Sequence, residues 1–235
     1  MLSTIYNLFF PIYCKGCSTP WTYICTSCKK DLRAHPETCP NCHRPSKEYR
    51  FCLECTPYFR SLQWILIAFT YRSVIKRLIR ELKYQHAYTV ATFLAERLIL
   101  LIQTHSVLMQ AQMQQQLFIT YVPSHRWKVF FKRGYNQSKL LAVHCSKYLS
   151  VPLLSLTKKY RYTRSQTTLS REQRKTNLMK TFSAKKTEKL MTRCVILIVD
   201  DITTTGSTIH EVAKVIKQSI PHATIRGVVV ARHTT

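Results

Sequence analysis

Carboxylates and glycines are the scarce residues of this chain. Eleven Asp and Glu face 36 Lys and Arg over 235 residues, leaving a formal charge of +25. A field of this sign and size keeps the chain in solution and draws polyanions, either nucleic acid or an anionic membrane surface. Only four glycines occur, and three of them, Gly16, Gly134 and Gly206, stand at points picked out below on other grounds. No apolar stretch reaches the roughly 18 residues that a membrane-spanning helix needs. The opening MLSTIYNLFFPIYC has a short apolar run but no basic start and no small-residue cleavage site, so it does not read as a signal peptide. It reads as a short helix packed on the body, with Leu8, Phe9 and Phe10 offered for peripheral contact with a membrane. Hydrophobic residues make up 46% of the chain, which excludes wholesale disorder.

Without an export signal, the ten cysteines are expected in a reducing cytoplasm, where paired cysteines point to metal more than to disulfides. All but Cys145 and Cys194 fall in four C-x-x-C pairs: Cys14/Cys17, Cys25/Cys28, Cys39/Cys42 and Cys52/Cys55. Composition changes sharply after them, dividing the chain into a module at 1–57 and a domain at 58–235. A C-x-x-C knuckle presents two thiolates to one tetrahedral ion, and two knuckles close the site. Two structural zinc sites follow, because a module of roughly 45 residues holds too little core to fold without metal. The spacing allows sequential pairing of the knuckles or a cross-braced arrangement joining the first with the third. His35 and His43 read as bystanders, and Cys145 and Cys194 as core thiols.

Beyond the cysteines, apolar periodicity predicts a strand over 62–71. A helix follows it, with Val74, Ile75, Leu78, Ile79 and Leu82 on one stripe. A second apolar helix covers about 88–102, and the glutamine-rich 103–116 is aperiodic, a loop or helix tail. LFITYVP (117–123) reads as a buried strand and 136–149 as an amphipathic helix. Residues 158–193 are strongly basic, with little hydrophobic rhythm at first. CVILIVDD is a buried strand, STIHEVAKVIKQSI a helix with Ile209, Val212, Val215 and Ile216 inward, and TIRGVVVAR a closing strand. Strands alternating with helices imply an α/β domain around a largely parallel sheet.

The stretch ILIVDDITTTGST (196–208) concentrates the chemistry. Two adjacent carboxylates repel each other and need a ligand to justify them. The carboxyl end of such a strand is where open α/β sheets bind ligands. Thr204, Thr205, Ser207 and Thr208 offer hydroxyls, Gly206 frees backbone N–H groups, and the helix start adds its positive dipole end. This is a phosphate cradle. The aspartates then suit a sugar whose vicinal hydroxyls donate to them, each bond to a charged group being worth about 1.5–3 kcal/mol.

This stretch resembles the signature of class I phosphoribosyltransferases. The resemblance implies that Asp200 and Asp201 hold the ribose 2′- and 3′-hydroxyls, and that Thr203, Thr204, Thr205, Gly206, Ser207 and Thr208 wrap the 5′-phosphate of phosphoribosyl pyrophosphate (PRPP). VPSHRWKVFFKRGYNQSKLLA, with Pro123, Arg126, Lys128, Arg133, Gly134, Tyr135, Asn136 and Gln137, resembles the ComF/GntX competence family. RYTRSQTTLSREQRKTNLMKTF is similar to that family's segment of basic residues followed by R-x-x-N, through Arg164, Gln166, Leu169, Arg174 and Asn177. It stands where phosphoribosyltransferases carry a mobile active-site loop. Four C-x-x-C pairs ahead of such a domain complete the layout, so the resemblance covers essentially the whole chain. It implies a class I phosphoribosyltransferase-like α/β domain behind a zinc-ribbon module.

Arg133 and Gly134 supply a cation beside a backbone able to approach the pyrophosphate. Magnesium would enter with PRPP through substrate oxygens. Asn136 and Gln137 read equally well as helix-capping or ligand-touching residues. If the chain is an enzyme, Asp200, Asp201 and Arg133 form the catalytic set, with Arg133 holding the departing pyrophosphate and the acceptor unnamed.

Rings and cations alternate in HRWKVFFKRGY and KKYRYTR, as in sequence-tolerant binding of unpaired bases. Arg126, Lys128, Lys132, Arg161, Arg164 and Arg174 are the expected DNA contacts. The family resemblance implies handling of incoming single-stranded DNA at the cytoplasmic face of the inner membrane, beside a DNA-uptake helicase or recombination mediator. The competing functions are an active phosphoribosyltransferase, with a base or amine as acceptor, and a zinc-ribbon adaptor with a vestigial pocket.

Overall fold

The computed structural model describes residues 13–20, 22–82, 87–125, 134–160, 181–185 and 193–233. Six strands are placed in chain order: β1 (Ile65–Thr70), β2 (Leu117–Tyr121), β3 (Thr157–Lys159), β4 (Phe182–Ala184), β5 (Val195–Thr203) and β6 (Thr224–Arg232). The described helices are α1 (Thr26–Lys30), α2 (Ser73–Glu81), α3 (Ala87–Gln103), α4 (Ser106–Met113), α5 (Gln137–Leu149) and α6 (Ser207–Ser219).

Four strands form one sheet in the order β1-β6-β5-β2. Every neighbouring pair is parallel, with Ile67 opposite Val229, Val199 opposite Val228, and Tyr121 opposite Val199. Parallel strands carry helices on both faces, so their sequences are continuous apolar runs rather than alternating ones. Ile196 to Val199 and Val228 to Ala231 are accordingly sealed from solvent. On α2 the predicted stripe of Val74, Ile75, Leu78 and Ile79 is buried. On α6, Ile209, Val212 and Ile216 are buried as expected, whereas Val215 is only partly covered. Among the described residues no single helix is long and apolar enough to cross a membrane. The N-terminal helix expected around Leu8, Phe9 and Phe10 lies outside the described residues.

Two elements depart from expectation. The glutamine-rich segment folds into α4, turned 90° from α3. Its apolar signal is short, but Leu108 and Ala111 sit three residues apart and bury together. The basic segment holds the antiparallel pair β3–β4, with Thr157 opposite Ala184 and Lys159 opposite Phe182. Strands of three residues, TKK and FSA, are too short to carry a readable alternation.

The cysteine module lies along β1, which would otherwise be a bare edge. Ala34 bridges Phe69, the His35 N–H donates to the Ala68 carbonyl at 3.1 Å, and the Thr70 N–H donates to the Arg33 carbonyl at 3.3 Å. The compositional boundary near residue 57 falls within a short 3-10 turn, Thr56–Tyr58.

Candidate functional site

Strand β5 delivers Asp200 and Asp201 to the carboxyl edge of the sheet, and residues 204–206 turn the chain into α6. The turn needs glycine. Gly206 has φ +77°, and a Cβ there would lie 2.7 Å from Ile65 Cδ1. Its N–H donates to Thr203 Oγ1 at 2.9 Å, so the buried Thr203 hydroxyl shapes the loop from within. Thr205 and Ser207 share a hydroxyl contact of 2.7 Å, and Thr204, Thr205, Ser207 and Thr208 are all half-buried along the crevice. The first turn of a helix leaves N–H groups without partners inside the helix, and the α6 N-terminus follows directly on this hydroxyl-lined turn.

The two aspartates differ. Asp200 is buried, and its Oδ1 accepts from Ser138 Oγ at 2.7 Å and from the Asp201 N–H at 2.9 Å. Burial first, then the charge of Asp201, pushes its carboxyl up to about 8, against the opposing pull of these two donors. Asp201 is half-exposed and accepts from the Ile202 N–H at 2.8 Å. Its charge reaches Tyr71 just beyond β1, whose phenol is raised by burial and then by Asp201. One acid is thus held within the protein and the other is partly open to solvent. Sequence reasoning missed Ser138; it directly follows the N-Q pair, and only the register of α5 against β5 reveals it.

Across the crevice, Gly134 takes φ +70° in open space. Asn136 caps α5: its Oδ1 accepts from the Lys139 N–H at 3.2 Å and its Nδ2 donates to the Val122 carbonyl at 3.0 Å. The capping reading of Asn136 therefore holds. Arg133 and the expected DNA contacts Arg126, Lys128, Lys132, Arg161, Arg164 and Arg174 lie outside the described residues. Their approaches do not: His125 Nε2 donates to the Tyr160 carbonyl at 3.3 Å. The two basic segments therefore leave the described chain side by side, next to an exposed Tyr160 ring.

The eight paired cysteines form two groups: Cys14, Cys17, Cys25 and Cys28, then Cys39, Cys42, Cys52 and Cys55, with the sulfurs of each group within 4.8 Å of one another. Pairing is sequential, not cross-braced. Cys17–Cys25 and Cys42–Cys52 sulfurs stand 3.5 Å apart, near the edge of about 3.8 Å for a tetrahedron with zinc–sulfur bonds of about 2.3 Å. Backbone N–H groups of Gly16 and Cys25 point at Cys14 Sγ, that of Cys52 at Cys39 Sγ, and Asn41 Nδ2 at Cys55 Sγ. Donors aimed at sulfur favour thiolates, so each group can hold one zinc ion. Neither His35 nor His43 joins a group. Cys145 and Cys194 are buried core thiols.

No family model matches the chain. It is 30% identical to the DNA utilization protein YhgH of Escherichia coli (strain K12) over 196 residues, spanning 82% of this chain and 83% of that protein. Competence protein F of Haemophilus influenzae is 28% identical over 197 residues, 83% of this chain and 84% of that one. Competence protein ComFC of Bacillus subtilis is 22% identical over 211 residues, 81% and 76% respectively. At this identity and coverage the chain belongs to the family of competence protein F and the DNA utilization protein YhgH.

Proposed function

We propose that the protein serves DNA uptake or utilisation by binding single-stranded DNA through its basic segments, and that the crevice behind Asp200 and Asp201 binds PRPP. The observation that carries the PRPP reading is the acidic pair followed at once by a hydroxyl-lined, glycine-closed turn into a helix. The 5′-phosphate would sit among Thr204–Thr208 and the ribose diol over the acids, with Mg²⁺ brought by the pyrophosphate. Asp201 is free to accept a hydroxyl; Asp200, already bonded to Ser138, would share its second oxygen. For DNA, the support is the net charge, the adjoining origins of the two basic segments and the Tyr160 ring beside them.

A phosphoribosyltransferase reaction is the second reading, favoured by one feature. The β3–β4 pair, which precedes and follows the basic stretch 161–180 in the chain, packs on α6, the helix that the hydroxyl-lined turn enters.

Melting curves with and without Mg²⁺-PRPP test the pocket: a rise is expected in the wild type and none in an Asp200→Asn, Asp201→Asn double variant. An unchanged wild-type curve removes PRPP. For DNA, affinity should fall with salt, at a log-log slope of about −0.7 per phosphate neutralised; salt-insensitive binding, or none at low salt, defeats that half.

A further inference from the structure

Arg232 ends β6 wholly buried, at 0% exposure, between the phosphate-loop candidate and the second cysteine group. Its Nε donates to the Thr204 carbonyl at 3.2 Å. On the other side Nη1 donates to the Cys39 carbonyl at 2.9 Å and to Thr38 Oγ1 at 3.2 Å, and Nη2 to the Pro40 carbonyl at 2.7 Å. One rigid guanidinium fork therefore ties the loop backbone to the knuckle of Cys39 and Cys42. A second connection runs beside it. Gly206 lies close to Ile65, Phe51 and Phe59; Phe51 precedes Cys52 and stacks on Phe59 at 4.1 Å, and Phe59 packs on His210 of α6 at 4.8 Å. Burial, then Lys214, pushes the His210 imidazole down to about 4, so this contact stays apolar at neutral pH.

The first cysteine group leans elsewhere. Arg77 of α2 donates to the Gly16 carbonyl, and Lys15 pairs with Glu81 at 3.7 Å. Two groups of one chemistry thus have different neighbours, and among the described residues only the second reaches the loop through a buried arginine.

We propose that the second cysteine group is part of the loop machinery. Metal there fixes the Cys39 and Pro40 carbonyls, and Arg232, as a positioning residue, transmits that order to Thr204–Gly206. Four thiolates outweigh a divalent ion by two charges, which favours a guanidinium kept beside them. The ligand held by the ordered loop rests on the PRPP reading; the ordering of the loop does not.

The test compares Arg232→Gln with Arg77→Gln in the full, zinc-loaded chain, reading zinc content, amide exchange over 203–208 and the Mg²⁺-PRPP dissociation constant. Arg232→Gln should exchange those amides about tenfold faster and weaken PRPP about tenfold, the loss of one charged hydrogen-bond set. Arg77→Gln should match the wild type in both. Arg232→Lys, which keeps the charge but lacks the fork, should keep both zinc ions and still show the faster exchange; it also serves if Arg232→Gln does not fold. A purely structural arginine would lower the melting temperature and leave loop exchange in the folded chain at wild-type values. That result, or an equal change in Arg77→Gln, overturns the proposal. If the wild type ignores PRPP, the function reading falls while the exchange comparison still decides this one.

Discussion

The two cysteine groups share ligand type, sequential pairing and C-x-x-C knuckles, yet one is braced against a helix and the other against the candidate phosphate loop. Both contain or adjoin a residue with no room for a side chain. A Cβ on Gly16 would lie 2.4 Å from Cys28 Sγ, whereas one on Gly206 would lie 2.7 Å from Ile65 Cδ1. The first glycine guards a metal site; the second guards the place where module and crevice meet. Identical coordination chemistry can therefore serve folding at one position and organise a ligand site at another, and neighbours decide which.

Substituting these glycines should separate the two roles. Gly16→Ala is expected to have the largest effect, cutting bound zinc from about two ions to about one by metal analysis while PRPP still raises the melting temperature. Gly206→Ala should do the reverse: both ions retained, stability lower by about 1–3 kcal/mol from the left-handed backbone and the crowding, and the PRPP response gone. Equal zinc loss in both would collapse the distinction.

Asp200 provides a subtler contrast with Asp201. A carboxyl raised on folding binds its proton more tightly in the folded state, so wild-type stability should fall as pH rises from about 4 to about 8, then level off. Asp200→Asn removes this buried charge. Its melting temperature should exceed the wild type by an amount that grows across that window, by about 2–4 °C per kcal/mol for a chain of this size, while its PRPP response is lost. Asp201→Asn, at a half-exposed site, should lose the response with a smaller pH-dependent gain, because it removes only the neighbouring charge and leaves Asp200 buried. The smallest expected effect is at Asn136: replacing the α5 cap with alanine should cost about 1 kcal/mol by denaturant titration and leave zinc content unchanged.

Much of the architecture was legible because long apolar runs and 3.6-residue stripes carry it. The parallel sheet, α2, α3, α5 and α6 all follow from such signals, and the eight thiols announce their groups by spacing. Knuckle pairing was not legible, since both arrangements satisfy the same intervals; it depends on how the backbone folds back on itself. The helix α4 and the β3–β4 pair escaped because two buried residues, or three-residue strands, make no period. At the site, the acidic pair and hydroxyl turn stood out as chemistry without a folding rationale. Ser138 and Arg232 did not, since each acquires its role from a partner at least 28 residues away in sequence. Thr203 belongs to the same lesson: the sequence offered its hydroxyl to a ligand and gave no sign that it also closes the turn by accepting from the Gly206 N–H.

The most direct measurement is a co-crystal structure of the zinc-loaded chain grown with Mg²⁺ and PRPP. The account predicts the ribose diol against Asp200 and Asp201, and the 5′-phosphate among Thr204–Thr208, with Arg232 still spanning Thr204 and Cys39. A crevice that stays empty at saturating ligand, or PRPP bound elsewhere on the basic surface, would contradict it.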